Sequence, residues 1–225
     1  MAKYIIHCVP KRLWYVDEFI VPSMLKQGIE RNDITIWCDT NEKGCLEMFM
    51  QSCRMLPKHG STWHLQDDIL ISSKFREETE KKRRGIVCGL CTVYDHQNPP
   101  GLTDAAHKWY SFPCIKIPND VARGCAKWFY TKVVPDYSNA EYQRNIRLKK
   151  YDDSFFWDYI KKCHKNIPVT NLAPNIVEHV DYMVGGTIAN YGRAQSNVSS
   201  TYWYEPELTQ ELMDAIMDRC MKHIK

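Results

Sequence analysis

Four short apolar runs, separated by stretches of helical character, order the first 91 residues and constrain the fold more than any other feature. KYIIHCV (3–9) is bounded by Pro10, DITIWCD (33–39) alternates, STWHL (61–65) runs into an acidic pair, and GIVCGLC (85–91) closes the series. Runs of this length between turn and polar residues predict strands. Between them, the stretch from about Leu13 to Lys26 predicts a helix that Pro22 must kink or restart. Residues 41–56 place Leu46, Phe49, Met50, Cys53 and Leu56 at helical spacing, and 72–84 reads as a polar helix. Alternating strand and helix is the pattern of a parallel sheet covered on both faces. No glycine-rich phosphate loop follows the first strand, which disfavours a dinucleotide-binding Rossmann domain.

Such sheets bind ligands beyond the carboxyl ends of their strands. Pro10 to Arg12, Asp39, and Gln66 to Asp68 all follow predicted strands and should gather at that edge. The adjacent acids in STWHLQDDIL (61–70) are informative. Neighbouring strand residues point to opposite faces, so one carboxylate would face inward unless the strand ends there. A buried carboxylate without a partner is costly, so the pair should stand at a strand end, held by a cation, hydrogen bonds or water. An acidic turn facing solvent is the plainer alternative.

Further along, TVYDHQNPPGLTDAAHK (92–108) carries turn chemistry at 98–101 and is long enough for an active-site loop. A strand about Tyr110–Ile117 and a helix capped by Asn119 or Asp120 should follow. Residues 137–165 read as helical with a break near Tyr151; 173–193 read as short and irregular, with Gly185 and Gly186. The tail from Glu207 to His223 is amphipathic, with Leu208, Leu212, Ile216 and Cys220 on one face. Asp152 and Asp153 precede a helix; capping and the helix dipole explain one acid well and the second only partly, and a general base is the alternative reading. His179, in PNIVEH, is either a hydrogen-bonded structural residue or a ligand.

At 225 residues, 44% hydrophobic and 12% aromatic, the chain can bury a sizeable core, and disorder is excluded as its main state. No apolar stretch approaches the roughly 20 residues of a membrane span, and the N-terminus is not a signal peptide, so a soluble, cytoplasmic protein is expected. A net charge of +3 does not argue for nucleic acid. KFREETEKKRRG (74–85) and RNIRLKK (144–150) nevertheless concentrate charge, by default as solvated helix faces, otherwise as attraction for a phosphate-bearing partner. Ten cysteines include a single CxxC pair, Cys88 and Cys91, too few close pairs for a zinc ribbon. Reduced, structural thiols are expected, with a redox pair as the alternative.

Four segments, HLQDDIL (64–70), FPCIKIPN (112–119), DDSFFWDYI (152–160) and PNIVEHVDYMVGGTIAN (174–190), stand in an order that resembles small GT-A-type glycosyltransferases, particularly those of bacteriophage and bacterial genomes. The resemblance implies an α/β fold: a single GT-A-like (Rossmann-like) domain with a mostly parallel central sheet flanked by helices. Residues 1–91 would bind the nucleotide sugar, 92–206 would build the acceptor and catalytic half, and 207–225 would form a C-terminal helix. Asp68 and His179 would hold Mn2+ or Mg2+, with Asp67 touching donor or metal. Gln66 stands where the family's motif carries its first acid. Asp39 would contact the nucleoside above a loop made by Pro10, Lys11 and Arg12. Asp153, with Asp152, would be the base that deprotonates an acceptor hydroxyl, giving inversion by direct displacement. The partners implied are a nucleotide-sugar donor and a glycan, protein or modified-DNA acceptor, in the host cytoplasm if the chain is phage-encoded. Three other readings compete: an inert nucleotide- or polymer-binding module, a metal nuclease using Asp68, Glu80 and Lys82, and a thiol oxidoreductase resting on CGLC.

Overall fold

The computed structural model describes residues 3–90, 101–104, 112–133, 152–172, 174–184 and 210–223. Strand β1 (Tyr4–Cys8) pairs in parallel with β2 (Ile34–Cys38) on one side and β3 (Ser61–Gln66) on the other, Ile6 standing between Ile36 and Leu65. Helix α1 leads from β1 to β2 through Leu13–Tyr15, a π-type stretch Val16–Ile20, and Val21–Lys26. The wide turn falls just ahead of Pro22, whose ring would otherwise meet the carbonyl four residues back. Helix α2 (Cys45–Met55) leads into β3 and begins after Gly44 at φ +91°.

The chain then departs from simple alternation. β4 (Ile69–Ile71) leaves the main sheet, α3 (Phe75–Glu80) is shorter than the polar run predicts, and β5 is confined to Ile86–Cys88. β6 (Gly101–Asp104), β7 (Cys114–Pro118), α4 (Asn119–Trp128, prolonged by a π turn Phe129–Val133), α5 (Asp152–Cys163) and β8 (Pro168–Asn171) follow. β9 (Val177–His179), α6 (Asp181–Val184) and α7 (Gln210–His223) complete the described elements. The seven-stranded order is β2-β1-β3-β7-β5-β8-β6, and β4 pairs with β9 in a small second sheet. β7 is antiparallel to both β3 and β5, and β6 to β8, so five of the seven strands share a direction. The sheet is mixed, with β7 inserted between the third and fourth predicted strands.

Both faces are covered, which is why these strands read as apolar runs instead of clean alternation. Tyr4, Ile6, Trp63 and Leu65 pack on one face with α1, α3 and α7; Ile5, Ile115 and Ile117 pack on the other with Phe49, Phe129 and Phe156. Ile216 and Cys220 of α7 are buried as its periodicity predicts. The expected Asn119 cap is corrected: Pro118 occupies the N-cap position, while Asn119 accepts a hydrogen bond from Thr62 Oγ1 (2.9 Å) and donates one to His59 O (2.8 Å). That amide fastens α4 to β3. Gly85 has φ +72°, and a Cβ there would lie 2.1 Å from Pro168 O. This close approach fixes where α3 gives way to β5. The nine described cysteines are free thiols, Cys88 buried in β5; Cys91, the 92–100 stretch and 137–150 lie outside the described residues. No helix among the described residues is long and apolar enough to cross a membrane.

Candidate functional site

The acidic pair occupies the two-residue step between Gln66, the end of β3, and Ile69, the start of β4. Because the chain turns out of the sheet there, the two carboxylates need not face opposite sides. Both meet one cation. Arg12 Nη2 lies 3.0 Å from Asp67 Oδ1 and Arg12 Nη1 lies 2.7 Å from Asp68 Oδ2, with all three side chains buried. The guanidinium reaches them because Pro10–Arg12 curls in a single 3-10 turn directly after β1, with Arg12 N donating to Val9 O at 3.0 Å. The Val9 N–H adds a hydrogen bond of 2.7 Å to Asp67 Oδ2.

Burial works to raise both carboxyl pKa values. At Asp68 it is outweighed by Arg12 and then His179, which hold the group well below the ordinary carboxylate range. At Asp67 burial prevails over Arg12, and the neighbouring Asp68 charge pushes the same way. The pair therefore divides into one firmly ionised acid and one that takes up a proton more readily.

The small sheet supplies the histidine. β9 runs antiparallel to β4 with His179 opposite Ile69, and Val180 N donates to Asp68 O at 2.8 Å. His179 Nε2 consequently stands 3.4 Å from Asp68 Oδ1, a long contact to a buried oxygen that no shorter hydrogen bond among the described residues satisfies. Among the described residues no group of three or more His, Cys, Asp or Glu converges on one point. An imidazole and a carboxylate oxygen at this spacing are the residues here that could hold a divalent cation, with the rest of its shell coming from elsewhere.

On the other side of the edge, α5 opens with Asp152 and Asp153. Each carboxylate accepts from the next backbone N–H, Asp153 N at 3.0 Å and Ser154 N at 2.5 Å, as acids at a helix start should. Burial, then Asp153, and in smaller measure Asp68 push Asp152 up to about 7; burial also raises Asp153. Asp68 and Asp152 thus lie within electrostatic reach across the edge. The Cys45 thiol, at the start of α2, is within hydrogen-bond reach of the Asp152 backbone.

The remaining expected residues take different parts. Asp39 is buried and uses both oxygens on the turn entering α2, accepting Lys43 N at 2.8 Å and Gly44 N at 2.7 Å. Gln66 is half-buried, its backbone N bonded to Pro113 O, and its amide makes no hydrogen bond among the described residues. Pro10 and Lys11 are exposed; Arg12, expected in the same loop, is instead the internal counter-ion of the acids. The nuclease set does not assemble: Glu80 pairs with Arg76 and, with Lys82, lines a groove beside Lys3 and Ser61, at the opposite end of the strands.

Arg12 was the partner the acid pair demanded, and the nearest strand-end arginine was its only signal. A second feature had no such signal: His7 Nε2 lies 3.1 Å from His64 Nδ1, with the rings stacked and both pKa values depressed by burial. No protein-family model matches this chain, and none of the curated proteins does.

Proposed function

We propose that the chain is a glycosyltransferase that moves a sugar from a nucleoside-diphosphate donor to an acceptor hydroxyl with the help of Mn2+ or Mg2+. One observation carries the reading. The buried Asp68 Oδ1 faces His179 Nε2 at 3.4 Å, and Asp152 stands within electrostatic reach of that acid. Three segments far apart in sequence come within reach of one another past the carboxyl ends of β1 and β3, which supports the roles proposed for them, and the mixed α/β sheet is compatible with a GT-A arrangement.

Asp68 and His179 are the residues that would hold the divalent ion. Bound there, it would neutralise charge developing on a diphosphate leaving group. Arg12 keeps Asp68 ionised and aimed while leaving the Asp67–Asp68–Arg12 cluster one negative charge in excess. The Gln66 amide, without a hydrogen bond among the described residues, and the exposed Lys11 would meet donor oxygens. Across the edge, Asp153 and Asp152 are the base candidates for the acceptor hydroxyl, and a carboxyl near 7 suits proton abstraction at neutral pH. Attack opposite the leaving group would invert the anomeric centre.

Incubating the protein with a panel of nucleotide sugars and Mn2+, and following nucleoside diphosphate release, tests this reading. Turnover that Asp153→Asn or Asp152→Asn lowers by roughly 10²–10⁴-fold supports it. A nucleotide sugar bound but never cleaved would instead assign a binding module.

A further inference from the structure

The end of the sheet away from the acids carries a different chemistry. Lys116 sits in the middle of β7, level with Trp63 of β3 and Val87 of β5, where a central strand ordinarily places an apolar residue. It is only 9% exposed. Among the described residues its ammonium donates one hydrogen bond, to Arg83 O at 2.9 Å, out of the three it has to offer. No carboxylate pairs with it among the described residues: Glu78 is held by Lys81 and Arg83, Glu80 by Arg76 and Asp33 by Lys3. Burial and then the like charge of Arg83 lower its pKa. A largely buried ammonium is costly without a counter-charge, and among the described residues the Arg83 carbonyl is what offsets it.

Lys116 forms part of a groove of about 690 Å³ whose rim includes Lys3, Lys82 and Arg84. Lys82 and Arg84 are exposed and make no ion pair or side-chain hydrogen bond among the described residues. Glu80 is the one acid lining the groove among the described residues. Lys3 precedes β1 and Ser61 opens β3, so the length of β1, roughly 15 Å at strand spacing, separates this groove from Asp68. Trp63 is buried and its Nε1 turns to Thr79 O, which leaves charge, not ring stacking, as the groove's means of recognition.

We propose that this groove is a second ligand site, which takes a phosphate or polyphosphate group with Lys116 as its buried cation and Lys82 and Arg84 as its rim. The missing counter-charge of Lys116 comes from the ligand. The same chemistry is presented by a free polyphosphate and by the phosphodiesters of a nucleic acid strand. The site stands apart from the proposed donor site and does not depend on that reading.

The test is calorimetric titration with tripolyphosphate at physiological ionic strength in metal-free buffer. The proteins compared are the wild type, Lys116→Met, a Lys82→Ala/Arg84→Ala double variant, and Asp68→Asn. Saturable binding is expected in the wild type and in Asp68→Asn. Lys116→Met should weaken it roughly tenfold or more, as loss of a charge-assisted contact does. The rim variant, altered only at exposed positions, should weaken it severalfold, which keeps the test open even if Lys116→Met does not fold. Competition by a short oligothymidylate would identify a nucleic acid strand as the source of the phosphate; absence of competition would identify a free polyphosphate. Binding absent in the wild type, unchanged in both groove variants, or abolished in Asp68→Asn overturns the proposal.

Discussion

Replacing Arg12 by methionine removes a cation that two buried carboxylates share while keeping most of the side chain's volume. Asp67 and Asp68 are 4% and 7% exposed, and Arg12 meets them at 3.0 and 2.7 Å. Breaking a buried pair by deleting one partner costs about 3–5 kcal/mol, and this deletion strands two acids at once, so the upper half of that range is expected. For a chain of this length each kcal/mol shifts Tm by about 2–4 °C, which puts the fall at roughly 8–20 °C near pH 7.5. The pH dependence is diagnostic. Asp68 is held low in the wild type, so its contribution is present above the unfolded carboxyl value of about 3.9 and is lost only as pH falls through the lower folded one. Without Arg12, burial raises both acids. The folded variant then binds more protons than the unfolded chain above about 3.9, and its deficit is largest at neutral pH and shrinks toward pH 4.5. Urea denaturation of both proteins at several pH values reads this out. A deficit below about 1 kcal/mol, the worth of a surface pair, would refute the reasoning, as would one of equal size at pH 7.5 and pH 4.5.

Asp152 is pushed up to about 7, so a turnover that uses it as base should rise with pH through that value, and Asp152→Asn should flatten the profile. Because a raised carboxyl pKa makes the folded state lose stability as pH climbs from about 4 to 7, Asp152→Asn should also melt higher than the wild type at pH 8. Gly85→Ala, with φ +72° and its Cβ 2.1 Å from Pro168 O, should destabilise by at least about 2 kcal/mol in the same denaturation assay. Native thiol labelling should modify the exposed Cys163 quickly, while Cys53, Cys114 and Cys125, buried and with raised pKa values, react only on unfolding; mass spectrometry of the labelled peptides distinguishes the two classes.

The amino-terminal half of the sheet was legible because β1, β2 and β3 are five- or six-residue runs with their own punctuation, and α2 carries its apolar face at regular spacing. Strands β4, β6, β8 and β9 were not, since three or four residues such as PVTN or VEH contain too little pattern to separate strand from turn. Their identity as strands comes from partners distant in the chain, and periodicity does not encode partners. The antiparallel placement of β7 was invisible for the same reason. At the site, the cost of two adjacent buried acids led to a strand end and to a partner, whether cation, hydrogen bonds or water, and the folded chain supplies the strand end, the Arg12 guanidinium and the Val9 N–H. That the cation is Arg12, and that His179 reaches Asp68 through the β4–β9 pair, depends on a turn and a crossover that only the folded chain displays. Asp39 illustrates the reverse: an acid at the carboxyl end of β2 whose oxygens are both engaged in building a turn.

The most direct test of the proposed donor site is calorimetric titration with UDP and with GDP, each with and without Mn2+, on the wild type and on Asp68→Ala. Binding of one nucleotide that requires Mn2+ and disappears in the variant is the predicted result. Binding indifferent to both metal and mutation, or no binding of either nucleotide, would contradict the assignment of Asp68 and His179 to a metal–diphosphate site.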